Sequence, residues 1–308
     1  MQIFVTGASG WIGSAAVAEL LESGHHVVGL ARSDTSAERL EAAGAAVQRG
    51  DLTDPANLAA AAARSDGVLH LGFQHDVAWR GDFVQAAANE RAAVEAMGAA
   101  LAGSDRPFVL ASGMIGLARG RPATEDEGLA ATAQVRNNPA GLRAATALLA
   151  LSLRGIGVRS RVLRFPPTVH GDGDHGFIRT LVQLARERGV AAYVGEGTNR
   201  WAAVHRSDAA RLARLALESA PAGSVLHAVA DEGVALHVIA ETMARHLELP
   251  TASLSPAQAV EHFGHLGHFV GLDSASTASS TRALLGWEPK GPSLLEDLEA
   301  DHYYRHVP

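Results

Sequence analysis

The stretch Val5-Thr6-Gly7-Ala8-Ser9-Gly10-Trp11-Ile12-Gly13 limits the folds open to this 308-residue chain more than any other. The apolar run 2–5 predicts a strand. From Ile12 onward Ala15, Ala16, Val17, Leu20 and Leu21 predict a helix that Gly24 stops. A strand that runs through three glycines into a helix is a phosphate-binding turn. Gly7 permits the tight bend, Gly10 lets the backbone approach a pyrophosphate, and Gly13 lets helix and strand pack closely. The helix N-terminus adds free N–H groups and partial positive charge. A glycine turn without a ligand is the bland alternative, and the elements on both sides decide for a dinucleotide. Ser9, Trp11 and Ile12 share the turn and are candidate cofactor contacts with the three glycines.

Further strands are predicted over 25–31, 45–49, 67–73, 108–113 and 158–165, with helices over 36–43, 57–63, 82–102 and 141–154. Asp54 before Pro55 is a good helix start, an N-cap acceptor followed by proline at the first helical position. Such alternation predicts an α/β fold, a Rossmann-like, doubly wound parallel sheet with right-handed crossovers. Segment 119–138, rich in Gly, Pro and acidic residues, reads as a loop near the site mouth. After residue 167 the rhythm changes: a glycine-rich loop at 171–176, a helix over 177–188, a strand-like excursion over 190–201, a helix opened by Val204-His205-Arg206-Ser207-Asp208, and a strand over 225–230 returning to the main sheet. The remainder reads as helices and loops. The expected division is a dinucleotide-binding body of residues 1–167 with 204–232, and a smaller C-terminal substrate lobe of 168–203 and 233–308 laid over the strand ends.

Composition narrows the partners. With 47% hydrophobic residues the chain can bury a sizeable core. A net charge of −7 without a basic run argues against nucleic acid and anionic membrane. No cysteine is present, so disulfides and thiolate metal sites are excluded. The first strand begins almost at residue 1 and no apolar run has membrane-span length, so a cytoplasmic location is expected. Helix 141–154 is apolar nearly all round, through Leu142, Leu148, Leu149, Leu151 and Leu153, which predicts a partner subunit and hence a homodimer.

The end of the second strand is where a nicotinamide-binding fold chooses its cofactor. An acidic residue there accepts hydrogen bonds from the ribose hydroxyls, whereas an arginine pairs with a 2′-phosphate. Arg32 stands in that place, with Ser33 as a second donor, which favours NADP(H), NAD(H) being the second option. The alternatives are an Arg32 that is solvated or stacked on adenine, and Asp34 works against a phosphate. Asp51 and Leu52, at the next strand end, are placed to meet the adenine ring.

These residues resemble the extended and atypical short-chain dehydrogenase/reductases, the superfamily of the NAD-dependent epimerases and dehydratases. The resemblance runs through Thr6–Gly13, Asp51-Leu52, His70-Leu71-Gly72, Asn89, Ser112-Gly113, Leu163-Arg164-Phe165-Pro166 and Val204–Asp208. It implies a nicotinamide site that also uses Leu71, Gly72, Phe73, Ser112, Arg143 and Pro166, a substrate under the C-terminal lobe, and a dimer formed through helices 82–102 and 141–154. The superfamily's catalytic pair is a tyrosine four residues before a lysine, where a nearby cation lowers the phenol's pKa. Here Lys290 is the single lysine, and none of the three tyrosines, Tyr193, Tyr303 and Tyr304, has a lysine four places on. The tyrosine place falls at Pro139 and the lysine place at Arg143. An arginine can bond the nicotinamide ribose but is no proton relay. The usual Ser/Thr place falls at Gly113, beside Ser112.

Substitute catalytic groups are Ser112, His75, Tyr193 and Arg143. His75, oriented by Asp76, either donates a proton to a reduced carbonyl or is a loop histidine meeting water. His170 and His175 flank the loop after Pro167. His205 and Asp208 read as ties between lobe and helix, with Asp208 a structural acceptor. The run Glu261-His262-Phe263-Gly264-His265-Leu266-Gly267-His268 invites a metal reading, but its glycines break the helix face and no carboxylate is spaced for it, so no metal is expected. The leading expectation is an NADP-preferring reductase of a small carbonyl, imine or activated alkene. Its rivals are a nucleotide-sugar epimerase or dehydratase, and a cofactor-binding redox sensor without turnover.

Overall fold

The computed structural model describes residues 1–118, 120–128 and 139–305. Arg119 and residues 129–138 of the expected mouth loop lie outside them, as do the side chains of Pro139, Ala140 and His265.

The first half of the chain alternates as its pattern requires: β1 (Gln2–Thr6), α1 (Trp11–Glu22), β2 (His26–Ala31), α2 (Asp34–Ala42), β3 (Ala46–Arg49), α3 (Pro55–Ala63), β4 (Gly67–His70), α4 (His75–Trp79), α5 (Phe83–Leu101), β5 (Pro107–Gly113), α6 (Pro139–Ser152) and β6 (Arg159–Phe165). Local chemistry sets the boundaries. The Asp54 carboxylate accepts from Asn57 N at 3.0 Å ahead of Pro55, and Asp82 likewise accepts from Gln85 N at 3.1 Å to start α5. After α1 the chain turns through Gly24 at φ +80°, a left-handed conformation that favours glycine.

The second half adds β7 (Thr168–His170), α7 (Phe177–Arg188), β8 (Ala191–Val194), β9 (Arg200–His205), α8 (Arg206–Glu218), β10 (Val225–His227), β11 (Asp231–Ala235), α9 (Leu236–Leu247), β12 (Thr251–Leu254), α10 (Pro256–Phe263), α11 (Gly267–Val270), α12 (Ser279–Leu285) and α13 (Leu294–Leu298). The region after residue 230, expected to be helices and loops, thus contains two strands. β11 pairs antiparallel with β9, and β12 pairs parallel with β8.

Seven strands form one parallel sheet in the order β10-β6-β5-β4-β1-β2-β3. This is the Rossmann-like doubly wound sheet expected from the sequence, with the returning strand on its edge. Successive residues face opposite sides. Ile3, Val5, Leu69 and Val109 point to the side covered by α1 and α8, while Phe4, Val68, Phe108 and Leu110 point to the side covered by α3, α5 and α6. The chain steps outward from β1 to β2 and β3, then crosses back to β4, so its connections reverse between β1 and β4. A crevice opens there beyond the strand ends.

A separate apolar cluster, with Trp201, Ile239, Met243, Phe263, Leu298 and Tyr303, holds β8, α7, α9, α10 and α13 together as a lobe. Asp208 fastens the chain's last stretch to α8. Its carboxylate accepts from Lys290 N at 2.9 Å and Gly291 N at 2.7 Å, the structural role expected of it.

Candidate functional site

The crevice is built on the glycine turn. A Cβ on Gly13 would lie 1.9 Å from the Gly7 carbonyl oxygen, so α1 touches the turn with no room for a side chain. Gly7 has φ +66°, and a Cβ there would lie 2.8 Å from Gly72 N and from the Leu71 carbonyl carbon, which makes Leu71 and Gly72 the opposite wall. Gly10 is exposed and faces open space apart from Gly7 O. The first α1 hydrogen bond from this end is Ser14 N to Gly10 O at 2.9 Å, and α1 has no side-chain cap. The amides of Trp11, Ile12 and Gly13 therefore stay available to an anion. These features fit the diphosphate of a dinucleotide.

Thr6 Oγ1 accepts from Gly72 N at 3.1 Å and lies 2.5 Å from His70 Nδ1, joining β1 to β4 where the crevice starts. His70 is fully buried. Desolvation, and then the Arg143 charge, lower its pKa to about 3, so the imidazole is neutral at physiological pH.

At the end of β2 the Arg32 guanidinium, 63% exposed, lies 3.4 Å from Asp76 Oδ2, with Arg80 3.6 Å from the same oxygen. Ser33 is the N-cap of α2: its hydroxyl accepts from Ser36 N and donates to Ser36 Oγ. Asp51 Oδ1 accepts from Thr53 N and Thr53 Oγ1 at 2.9 Å and from Gln74 Nε2 at 3.3 Å. Gln74 Oε1 in turn accepts from Asn89 Nδ2 at 2.7 Å, so a polar chain links the Asp51 strand end to α5. Leu52 is buried behind it.

The other side of the crevice is dominated by Arg143. Its Nε and Nη2 donate to the two oxygens of Glu90 at 3.2 and 2.8 Å, and Nη2 also donates to the Ala111 carbonyl at 3.0 Å. The guanidinium lies over the Phe73 ring, 4.3 Å from its centre. Glu90 is 2% exposed, and burial pushes its carboxyl upward while Arg143 opposes the shift. Ser112 follows Ala111 and is nearly buried. In register beside it come Arg164 and His227, and Arg164 Nη1 donates to His227 Nε2 at 3.2 Å. At Gly113 an added Cβ would meet nothing within 4 Å. Pro166 is buried just after β6.

Several expectations need correction. His75 opens α4, and Asp76, expected to orient it, is paired with Arg32 and Arg80 instead. The His75 ring is flanked by Phe73 at 4.8 Å and Trp79 at 5.4 Å; desolvation first and then Arg143 lower its pKa. Tyr193 packs against the lobe cluster. It lies on β8, which packs on β12, α7, α9 and α10, with its ring 6.4 Å from that of His237. Trp11 donates its indole N–H to the Val169 carbonyl at 2.7 Å, so its side chain braces the lobe while its amide remains in the turn. His170 is buried against Asp297 at 2.8 Å, and His175 is edge-on to Trp11. Among the described residues no cluster of three His, Cys, Asp or Glu could hold a metal, and no helix is long and apolar enough to cross a membrane.

The residue missed from the sequence is Glu90. Glu90 did carry a signal, because it falls on the inward stripe of α5 with Ala86, Ala93, Val94 and Met97, where a charge must find a partner.

The family model for the NAD dependent epimerase/dehydratase family matches residues 3–229, which include the glycine turn and both walls of the crevice. The chain belongs to the NAD-dependent epimerase/dehydratase family. Two curated relatives, both uncharacterized, run the full length. One from Saccharomyces cerevisiae is 42% identical over 98% of this chain and 99% of its own, and one from Schizosaccharomyces pombe is 42% identical over 99% of this chain and 100% of its own. Solved structures share the family fold at lower identity. The UDP-glucose 4-epimerase of Thermotoga maritima, with UDP-glucose, aligns with TM-score 0.74 at 21% identity over 99% of this chain and 98% of its own. The dTDP-glucose 4,6-dehydratase of Streptomyces venezuelae, with NAD bound, aligns with TM-score 0.77 at 20% identity over 99% and 97%.

Proposed function

We propose that this family member is an NAD(P)-dependent oxidoreductase that moves a hydride between the cofactor and a small carbonyl, imine or activated alkene. The observation that carries the reading is the fate of the tyrosines and the lysine. Tyr303 donates to Asp174 at 2.9 Å inside the lobe, Tyr304 stacks on His246 at 4.5 Å, Tyr193 sits on β8, and the backbone of Lys290 is tied to Asp208 on α8, so no tyrosine stands four residues before it. An epimerase needs a strong acid/base group to cycle its substrate, whereas an iminium or enone accepts hydride without one.

A bound nicotinamide cofactor would supply the hydride. The chain would hold the diphosphate on the amides of the 7–13 turn, the adenine beside Asp51 and Leu52, and the nicotinamide end beside Phe73 and Ser112. Neutral His70 leaves the crevice floor uncharged. NADP(H) preference is part of the reading: Arg32 and Arg80 share one carboxylate, and a 2′-phosphate offers both a stronger partner. We also infer that two chains pair through α5 and α6, whose Leu142 and Leu148 are half-exposed.

The test is NADPH and NADH oxidation by pure protein against a matched panel of ketones, enones and preformed cyclic iminium ions. Turnover confined to enones or iminium ions supports hydride delivery without a strong acid. Cofactor binding with no turnover sinks the reading in favour of a sensor. A second reading, a nucleotide-sugar epimerase or dehydratase, is favoured by the family match and by what the aligned structures bind. It predicts NAD retained through purification and interconversion of UDP- or dTDP-sugars without net cofactor consumption.

A further inference from the structure

We propose that Arg143 is the group that receives the reacting oxygen of the substrate, through the guanidinium nitrogen Nη1. This rests on the hydride-transfer reading above. The planar fork of Arg143 is used along one edge, where Nε and Nη2 bind Glu90, and Nη2 also binds the Ala111 carbonyl. Nη1 has no partner among the described residues, and the side chain keeps 19% of its exposure. Phe73 lies against the guanidinium plane, and Ser112 and the open space at Gly113 come directly after its backbone anchor. A cation fixed by a buried carboxylate, a carbonyl and an aromatic ring needs little reorganisation to face a developing negative charge. It also stays protonated throughout, so it acts by charge and hydrogen bonding.

The step balances without a protein acid. For an enone, a bound reduced nicotinamide would supply the hydride to the β carbon while the π electrons shift onto the carbonyl oxygen. Nη1 would hold that enolate oxygen until the α carbon takes a proton from water, which restores the carbonyl.

The test uses benzoate, a carboxylate that mimics the charged oxygen, titrated calorimetrically into the full-length protein saturated with NADP⁺. Wild type is expected to bind it, and Arg143→Lys to bind it several-fold more weakly. Removing Arg143 alone strands a buried carboxylate and endangers the fold, so the decisive variant is Arg143→Met with Glu90→Leu. There benzoate affinity falls at least tenfold while NADP⁺ affinity stays within twofold. The proposal is overturned if wild type binds no benzoate, if the double variant binds it equally, or if NADP⁺ affinity falls by the same factor, which would make Arg143 a ribose ligand. Arg143-dependent benzoate binding with no turnover of any panel compound instead sinks the hydride-transfer reading and leaves the oxygen-binding site standing.

Discussion

The guanidinium of Arg206 lies 4.1 Å from the centre of the Trp11 ring and donates through Nε to the Trp11 carbonyl at 2.7 Å. Its Nη2 also donates to Ser14 Oγ at 2.6 Å, so the first residue of α8 grips the first turn of α1. Arg206→Ala removes a cation–π contact and two hydrogen bonds of a charged donor. The expected loss is about 2 kcal/mol of unfolding free energy, read from urea denaturation, with Arg206→Lys losing less.

The two later glycines of the turn should fail differently. Gly13→Ala drives a methyl group into the Gly7 carbonyl and should cost roughly 3 kcal/mol or prevent folding. Gly10→Ala meets only Gly7 O at 3.1 Å, a tight contact that a shift of a few tenths of an ångström relieves, so the melting temperature should fall far less than for Gly13→Ala while cofactor affinity falls at least tenfold. Equal melting temperatures for the two variants would refute this division of labour.

Arg32 and Asp76 set up a test of cofactor choice. Arg32→Ala should weaken NADPH binding at least tenfold and leave NADH nearly unchanged, because only the former carries a 2′-phosphate. Asp76→Asn should strengthen NADPH binding by freeing both arginines. Fluorescence titration with each cofactor measures the ratio, and an unchanged ratio would count against an NADP preference.

Acid should destabilise the protein through His70. Its folded pKa of about 3 lies below the ordinary 6.5, so between those values the unfolded chain binds a proton that the folded one refuses. Stability from this group is complete above pH 6.5 and falls as pH drops, by about 2 kcal/mol at pH 5. His205, His227 and His262, also lowered chiefly by desolvation, act in the same direction. His70→Gln should be less stable at pH 7 yet lose less between pH 7 and pH 5, and denaturant curves at both values would show whether the slope changes.

Pairing through α5 and α6 predicts a dimer in sedimentation velocity. Leu148→Glu places a charge on the half-exposed face of α6 and should shift the boundary to the monomer without lowering the melting temperature. A wild-type monomer at micromolar concentration would dispose of the idea.

What was legible in the sequence follows from what acts locally. The turn from Val5 to Gly13 and the alternation up to Phe165 were readable because glycine sterics, capping at Asp54 and apolar periodicity are properties of neighbouring residues. The strands Asp231–Ala235 and Thr251–Leu254 were not, since they are short and polar and exist through pairing with β9 and β8. Arg143 is marked by its position at the family's lysine place, whereas its partner Glu90 stands in an alanine-rich helix where only its place on the inward stripe marks it. The packing of Tyr193 against the lobe cluster was not readable either, because nothing in the chain's order says which way β8 faces.

β10, the strand that completes the main sheet, pairs with β6 across an insertion that carries β7, β8 and β9. The edge of the sheet is therefore sealed by residues synthesised after the lobe has begun. No single break in the chain separates a finished sheet from a finished lobe. The lobe is thus not an exchangeable module: moving it onto another sheet would require transplanting two distant segments at once, together with the Asp208 anchor that fastens the second of them.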